Sequence, residues 1–424
     1  MTRLFWLLIF AWVVLRLVML YLGWNGNSDN AARERVLKHF TSEDIARGRE
    51  YVRNGFWGRV ASPFVTVGLM AILLQLGMFT RIFDRIAATT GNGWWTTNLI
   101  FIFSCFAILQ IAELPFDYYL GYLVEKRMGF SNMTSIDWVY HYLKMSAVSW
   151  IFQAAGVMLV LWVFKVFPRG WPVGIPVATT LFGIAVTLIV PILVTPLFYN
   201  QKPLGDGPLK QRIIDISTKA GVQISGIYEI DESRYSNHTN AYFTGLFSQK
   251  RIVLYDTLIK SHTVDEAALI FAHEVGHWKH DHVFIGLALG FLGTLLGCGL
   301  LWFVFPILRT ETLFSLRELD SACNLPFFLI VTVVGNLFFA PVEAQISQIF
   351  ERQADATSLE LTGLASVFID AEKRLARDNR SELLPHPFRV FWLYSHPPAI
   401  ERIAMAEAYT ALHPEAPLPA SEKP

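Results

Sequence analysis

Ala267-Ala-Leu-Ile-Phe-Ala-His273-Glu274-Val275-Gly276-His277-Trp278 leads, after a short polar break, into an unbroken apolar run at 283–305. Residues four apart on an α-helix share a face, so His273 and His277 can present two imidazoles to one point. Glu274 lies about 100° around the helix, close enough to reach a metal-bound water without being a ligand. That division matches H-E-x-x-H chemistry, with two nitrogen ligands and a general base. Zinc lowers the pKa of its water to about 7, and a carboxylate takes the proton as the water attacks a carbonyl. Gly276 gives up about 1 kcal/mol of helix propensity relative to Ala, which implies close approach of another segment. The motif constrains only three positions, so a chance match in 424 residues stays open at this point.

A catalytic zinc takes three protein ligands and keeps one open position. Glu351-Arg-Gln-Ala-Asp355 follows the last apolar run, 326–345. Glu351 and Asp355 share a helix face, which Glu343 and Ser347 continue upstream. Glu351 can ligate, while Asp355 can orient a histidine from behind or assist proton transfer. The alternative is an ordinary solvated acidic face. Topology favours the ligand reading. His277 stands just before the sixth apolar run and Glu351 just after the seventh, so two successive crossings return both to one membrane face. A ligand in the loop 306–325 would be a membrane thickness away. His280 and His282 read as polar groups at the helix–membrane boundary, not as ligands.

Seven runs have spanning length, at 4–22, 62–80, 98–115, 146–167, 174–198, 283–305 and 326–345, against the roughly 20 residues a helix needs to cross a bilayer. Charged residues make up only 17% and hydrophobic residues 53%, and the mean hydropathy is +0.39. Soluble domains carry about 25% charged residues. The first run lacks a compact basic segment before it and a small-residue cleavage site after it, so it reads as a retained helix. A formal net charge of zero gives no footprint for nucleic acid. Cys105, Cys298 and Cys323 lie in or beside apolar runs without C-x-x-C spacing, which argues against a disulfide framework or a cysteine metal site. Lysine and arginine are denser in the loops 23–61 and 116–145 than on the opposite side. By the positive-inside rule this places those loops, the insertion 199–282 and the C-terminal region in the cytoplasm.

Segment 23–61 is polar with helical periodicity, and 116–145 carries Trp138, Tyr140 and Tyr142, as an interfacial segment does. Within the insertion, 209–220 reads as an amphipathic helix. Ala241-Tyr-Phe-Thr-Gly-Leu-Phe247 and Arg251-Ile-Val-Leu-Tyr255, joined by Ser248-Gln-Lys250, read as a β-hairpin. The expected organisation is a membrane region over 1–205 with five spans, a metal-site region over 206–412 with two more, and a disordered tail over 413–424.

With both motifs placed, the chain resembles the type I CAAX prenyl proteases, a family of integral-membrane zinc metalloendopeptidases, closely so over about 190–410. The resemblance rests on Asn240-Ala-Tyr-Phe243, Arg251-Ile-Val-Leu-Tyr-Asp256-Thr-Leu, His273-Glu-Val-Gly-His277, Glu351-Arg-Gln-Ala-Asp355 and Ser395-His-Pro-Pro398, with Arg402 just beyond. The N-terminal half matches mainly in its number of apolar runs. The loop between the last two runs is shorter than in eukaryotic members, which leaves the substrate more open than the chemistry.

The resemblance implies an all-α multi-pass membrane protein with seven transmembrane helices, arranged as a barrel around a water-filled chamber, and a zincin-like region with a small hairpin. It implies one zinc ion on His273, His277 and Glu351, Glu274 as base, Asp355 as a supporting carboxylate, and His396 as a donor near the tetrahedral intermediate. It places Arg402 either at the substrate or on an acidic partner such as Asp355. Asn240 and Ala241 begin the strand that would take a peptide by edge addition. The implied activity is hydrolysis of peptides beside membrane lipid, C-terminal prenylated CAAX peptides in this family, in a bacterial inner membrane or the endoplasmic reticulum. A second enzyme reading, quality-control proteolysis of membrane proteins, uses the same site. A third reading, a zinc-stabilised scaffold or transporter without catalysis, requires Glu274 to be dispensable.

Overall fold

The apolar runs fold as helices that outlast the bilayer they are long enough to cross. The structure, a computed structural model, describes residues 2–244, 250–310 and 315–413, Thr2 by its backbone alone. Seven helices among these are long and apolar enough to span a membrane. The first is α1 (Thr2–Asn25). Two short polar helices, α2 (Asn30–Leu37) and α3 (Ser42–Asn54), follow in the segment expected to be helical. α3 starts at a capping box in which Thr41 and Asp44 satisfy each other's backbone N–H groups, and it runs on into α4 (Phe56–Gln75).

α4 ends at Gln75, short of the 62–80 run, because Gly77 takes a left-handed φ of +64°. An unexpected amphipathic helix, α5 (Met78–Thr89), then precedes α6 (Trp94–Tyr118). The segment 116–145, expected to be interfacial, is mostly helical. α6 carries Pro115 and passes directly into a π-helical stretch at Tyr119–Val124 and then α7 (Glu125–Arg127). Proline removes a helical donor, and π-bulges absorb such defects. Only 128–134 is a true connection before α8 (Ser135–Val166), itself opened by a Thr134–Asp137 capping box. α9 (Trp171–Ile189) continues through a second π-helical stretch at Val190–Val194 into α10 (Thr195–Phe198).

The insertion contains more sheet than the expected hairpin. β1 (Lys202–Pro203), α11 (Pro208–Ala220), β2 (Gly226–Ile230), β3 (Ala241–Thr244) and β4 (Arg251–Tyr255) succeed one another. They form a four-stranded sheet in the order β1-β2-β4-β3. β3 and β4 are antiparallel, with Tyr242 opposite Val253, as the hairpin reading requires. β2 lies parallel to β4. The hairpin's turn falls at 245–249, outside the described residues. β3 is an edge strand: β4 occupies one flank, and no strand among the described residues occupies the other.

α12 (Asp256–Ser261) leads to α13 (Val264–Lys279), which carries the histidine motif and begins at a Thr263–Glu266 capping box. One face of α13 is apolar and buried: Ala268, Phe271, Ala272 and Val275 are at most 1% exposed, packed with Ile213 of α11 and with Ile252 and Leu254 of β4. Phe271 alone contributes roughly 1.5–3 kcal/mol by burial. α14 (His282–Arg309) and α15 (Leu325–Thr362) are the last two spans. α15 has 38 residues, about 57 Å, so its second half stands clear of a hydrocarbon core of about 30 Å. α16 (Ala365–Asp378), α17 (Pro387–Leu393) and α18 (Ala399–Leu412) close the fold. All but the first residue of the expected disordered tail lies outside the described residues.

Candidate metal centre

α13 and the projecting half of α15 pack along one another so tightly that a Cβ at Gly276 would sit 2.6 Å from Ala354 Cα. This is the close approach that the glycine implied. It brings the two motifs face to face. His273 Nε2 lies 3.2 Å from His277 Nε2 and 3.2 Å from Glu351 Oε2, and His277 Nε2 lies 3.5 Å from Glu351 Oε1. The three groups form the one three-ligand constellation found among the described residues, with ligand atoms all within 4.8 Å of one another. Tetrahedral donors at ordinary zinc bond lengths stand roughly 3.3 Å apart, so the spacing fits a tetrahedral metal. Glu351 is 6% exposed, and its buried Oε2 accepts no hydrogen bond. Such an orphaned carboxylate oxygen is costly unless a cation faces it.

Second contacts fix both imidazoles. His273 Nδ1 bonds Asp355 Oδ1 at 2.7 Å. Since a carboxylate only accepts, Nδ1 carries the hydrogen and Nε2 keeps its lone pair toward the centre. His277 Nδ1 lies 2.9 Å from His282 Nδ1, and His282 Nε2 lies 2.8 Å from Gln353 Oε1. With the Gln353 oxygen as acceptor, His282 donates from Nε2 and accepts at Nδ1 from His277. His277 Nε2 is thereby also left free to ligate. His282, expected as a polar group at the helix–membrane boundary, opens α14 there but is not solvated: it is 5% exposed and stacked on Phe350 with ring centroids 4.1 Å apart. His280 bonds Thr357 Oγ1 at 2.9 Å.

Asp355, fully buried, is gripped by Arg402 through Nε at 2.8 Å and Nη2 at 2.5 Å. Arg402 Nη1 reaches Glu372 at 2.8 Å. All three guanidinium nitrogens are therefore committed to two acids. Of the two places open to Arg402, the structure shows the acidic partner, and Arg402 also lines the cleft shared with Asn240 and His396. Glu372 escaped the sequence reading because an isolated glutamate on an amphipathic helix looks like a solvated one.

Glu274 is oriented toward the backbone of Phe243 on β3. Burial raises its pKa above the ordinary glutamate value. Burial also lowers His277, to about 4, helped by the neighbouring His273. For His273, burial acts downward but is outweighed by the neighbouring carboxylates of Asp355 and Glu351, which raise its pKa. His396 sits on the loop before α18, with Nε2 3.3 Å from Glu351 Oε2 and Nδ1 2.9 Å from the Ser395 hydroxyl, and its side chain is 59% exposed. Asn240 is exposed at the start of β3 and caps the Ala241 N–H with its own side chain at 2.8 Å. The Ala241 side chain is buried, so only its backbone is available at the strand edge.

Comparison with known proteins places the chain in one family. Residues 203–410 match the model of peptidase family M48, and residues 27–200 match the CAAX prenyl protease N-terminal model, described as five membrane helices. CAAX prenyl protease 1 of Saccharomyces cerevisiae is 30% identical over 325 residues, covering 72% of this chain and 71% of that protein. An uncharacterised metalloprotease of Bacillus subtilis, YhfN, is 28% identical over 342 residues, covering 80% of each. The crystal structure of Ste24p from S. mikatae superposes with a TM-score of 0.79 at 26% identity, over 94% of this chain and 97% of that one.

Proposed function

The chain belongs to the CAAX prenyl protease family of M48 peptidases, and from that premise we propose that it uses a zinc ion on His273, His277 and Glu351 to cleave prenylated C-terminal peptides at the cytoplasmic membrane face. It is a multi-pass membrane metallopeptidase with a peptide substrate, so the scaffold and transporter reading falls away. The observation that carries the proposal is the convergence of two imidazoles and one orphaned carboxylate from either side of two membrane spans.

Zinc in such a site supplies a Lewis acid that activates water and polarises a carbonyl. The chain's own residues do the rest. Glu274 takes a proton from the attacking water and returns it to the leaving amine; its raised pKa suits both halves of that task. Asp355 holds His273 in the tautomer that ligates, and His282 does the same for His277. Arg402 keeps Asp355 ionised and in place. His396, partly exposed beside Glu351, is placed to donate from Nε2 to the oxygen on which charge develops. The free edge of β3, next to Glu274, takes the peptide as an added strand with backbone hydrogen bonds from the residues after Asn240.

The test is cleavage of a farnesylated CAAX peptide and of its unprenylated control by the purified full chain, with metal analysis before and after chelation. The proposal expects chelator-sensitive cleavage restored by zinc, and faster cleavage of the farnesylated peptide. Full activity after metal removal would overturn the mechanism. Equal cleavage of both peptides would overturn the substrate assignment and favour quality-control proteolysis.

A further inference from the structure

Upstream of Asn240 the chain is strapped to the membrane half. Asn132 N–H donates to Tyr235 O at 3.0 Å, and Asn237 N–H donates to Phe130 O at 2.8 Å. Ser131 and Ser236 form an antiparallel bridge. His238 stacks on Phe130 at 4.0 Å and spans two acceptors, Glu125 Oε2 and Asn379 Oδ1, each at 3.0 Å. Beside this strap lies a cavity of about 650 Å³, walled by Asp117, Glu125, Trp138, Tyr142, Tyr235 and His238 among others. It belongs to neither the metal centre nor the cleft beside His396.

We propose that this cavity is a subsite for a basic side chain, lysine or arginine, of the peptide being cleaved, about five residues from the scissile bond. The inference rests on the reading that the peptide lies along β3.

Three observations support a cationic occupant. The cavity is lined by two carboxylates and by no lysine or arginine. Glu125 is already matched, by His238 on one oxygen and by the Tyr51 hydroxyl on the other at 2.6 Å. Asp117 is not: the Tyr142 hydroxyl donates to Oδ2 at 2.7 Å, while Oδ1 has no hydrogen bond among the described residues. One turn deeper on the same face of α6, Glu113 accepts from Ser62 at 2.6 Å and keeps its other oxygen buried without a partner. Next, the wall is aromatic. Trp138 and Tyr142 stack at 4.8 Å with Tyr118 edge-on to Trp138, and such faces attract ammonium and guanidinium groups. Finally, the neighbouring cations are engaged. Lys126 donates to the carbonyls of Ser131 and Met133, and Arg234 lies over the Tyr235 ring.

The distance follows from the strand. Glu274 faces Phe243, and His238 is five residues upstream, three positions before β3 begins at Ala241; fully extended, that stretch spans at most roughly 17 Å. A peptide paired to the β3 edge advances at the same rise, so its residue about five positions from the cleaved bond reaches the cavity.

The test uses the detergent-purified full chain and peptides whose single lysine is moved from two to eight positions on either side of the cleaved bond, each with a glutamine counterpart. The lysine-to-glutamine ratio of kcat/KM is expected to peak about tenfold above one, near five residues away on one side only. Asp117→Asn should bring that ratio to about one, and Asp117→Glu should restore it. Because the ratio is taken within each variant, a variant that merely folds poorly lowers both rates and leaves it unchanged. A flat lysine scan in the wild type, or an Asp117→Asn chain that keeps the peak, overturns the subsite while cleavage itself stands. If no peptide is cleaved at all, the peptidase reading falls and this inference with it.

Discussion

Replacing Gly276 by alanine tests whether the gap between α13 and α15 sets the metal centre. The added Cβ would lie 2.6 Å from Ala354 Cα and 2.9 Å from its carbonyl oxygen. These are backbone atoms and cannot swing aside as a side chain does, so the two helices must part by roughly 0.8 Å to reach ordinary contact. Glu351 stands three residues before Ala354 and Asp355 one after it, so the displacement reaches both. Metal sites tolerate about 0.2 Å in ligand distance. The His273–Asp355 bond, now 2.7 Å, would stretch to about 3.5 Å, where hydrogen bonding ends. Overpacking costs about 1–3 kcal/mol, and the helix propensity of alanine offsets about 1 kcal/mol of it. Net stability therefore falls by about 0–2 kcal/mol, while metal affinity should fall about 10–100-fold, as when ligand support is lost. The assay pairs thermal unfolding in detergent with metal content across a chelator series and peptide cleavage at each point. A Gly276→Ala chain with wild-type metal affinity and wild-type rate would refute the reasoning, because helix spacing would then not govern the ligands.

Four further outcomes follow from the same geometry. Glu274→Gln should keep its metal and lose about 10²–10⁴ in kcat; loss of metal instead would mean that Glu274 ligates. In the wild type, Glu274 must be deprotonated to act and burial raises its pKa, so the rate should fall with decreasing pH before the ordinary glutamate value of 4.5 is reached; a profile flat down to that value would contradict this. Arg402→Met strands Glu372 as a buried unpaired acid, leaves Asp355 with His273 alone, and should cost about 3–5 kcal/mol, read as a lowered midpoint of unfolding. His282→Ala removes the acceptor behind His277 and should weaken metal binding about 10–100-fold, beyond the loss of stability that truncating a buried side chain brings; an unchanged affinity would make His282 a packing residue only.

Sequence patterns were most legible where they were long. The spans, α11 and the β3–β4 pair were all visible, because their periodicities run over many residues. The two halves of the metal centre were legible through topology, since only one membrane face can receive both. What was not legible depends on partners distant in the chain. β2 is five residues with little alternation, and its neighbour β4 begins 25 positions after it does. The helix through Pro115 and the π-helical stretch looked like a connection, because a proline beside a polar run usually ends a helix. His282 and Glu372 acquire meaning only once Gln353 and Arg402 stand opposite them. No local pattern announces that pairing.

The His–His–Glu group has its first two members before one membrane crossing and its third after the next. A nascent chain in which either α14 or α15 fails to insert leaves Glu351 on the wrong side of the lipid. The centre then cannot close, whatever the rest of the fold has achieved. Metal occupancy is thus a checkpoint on insertion: a chain with wrong topology cannot become an active protease in the membrane that made it.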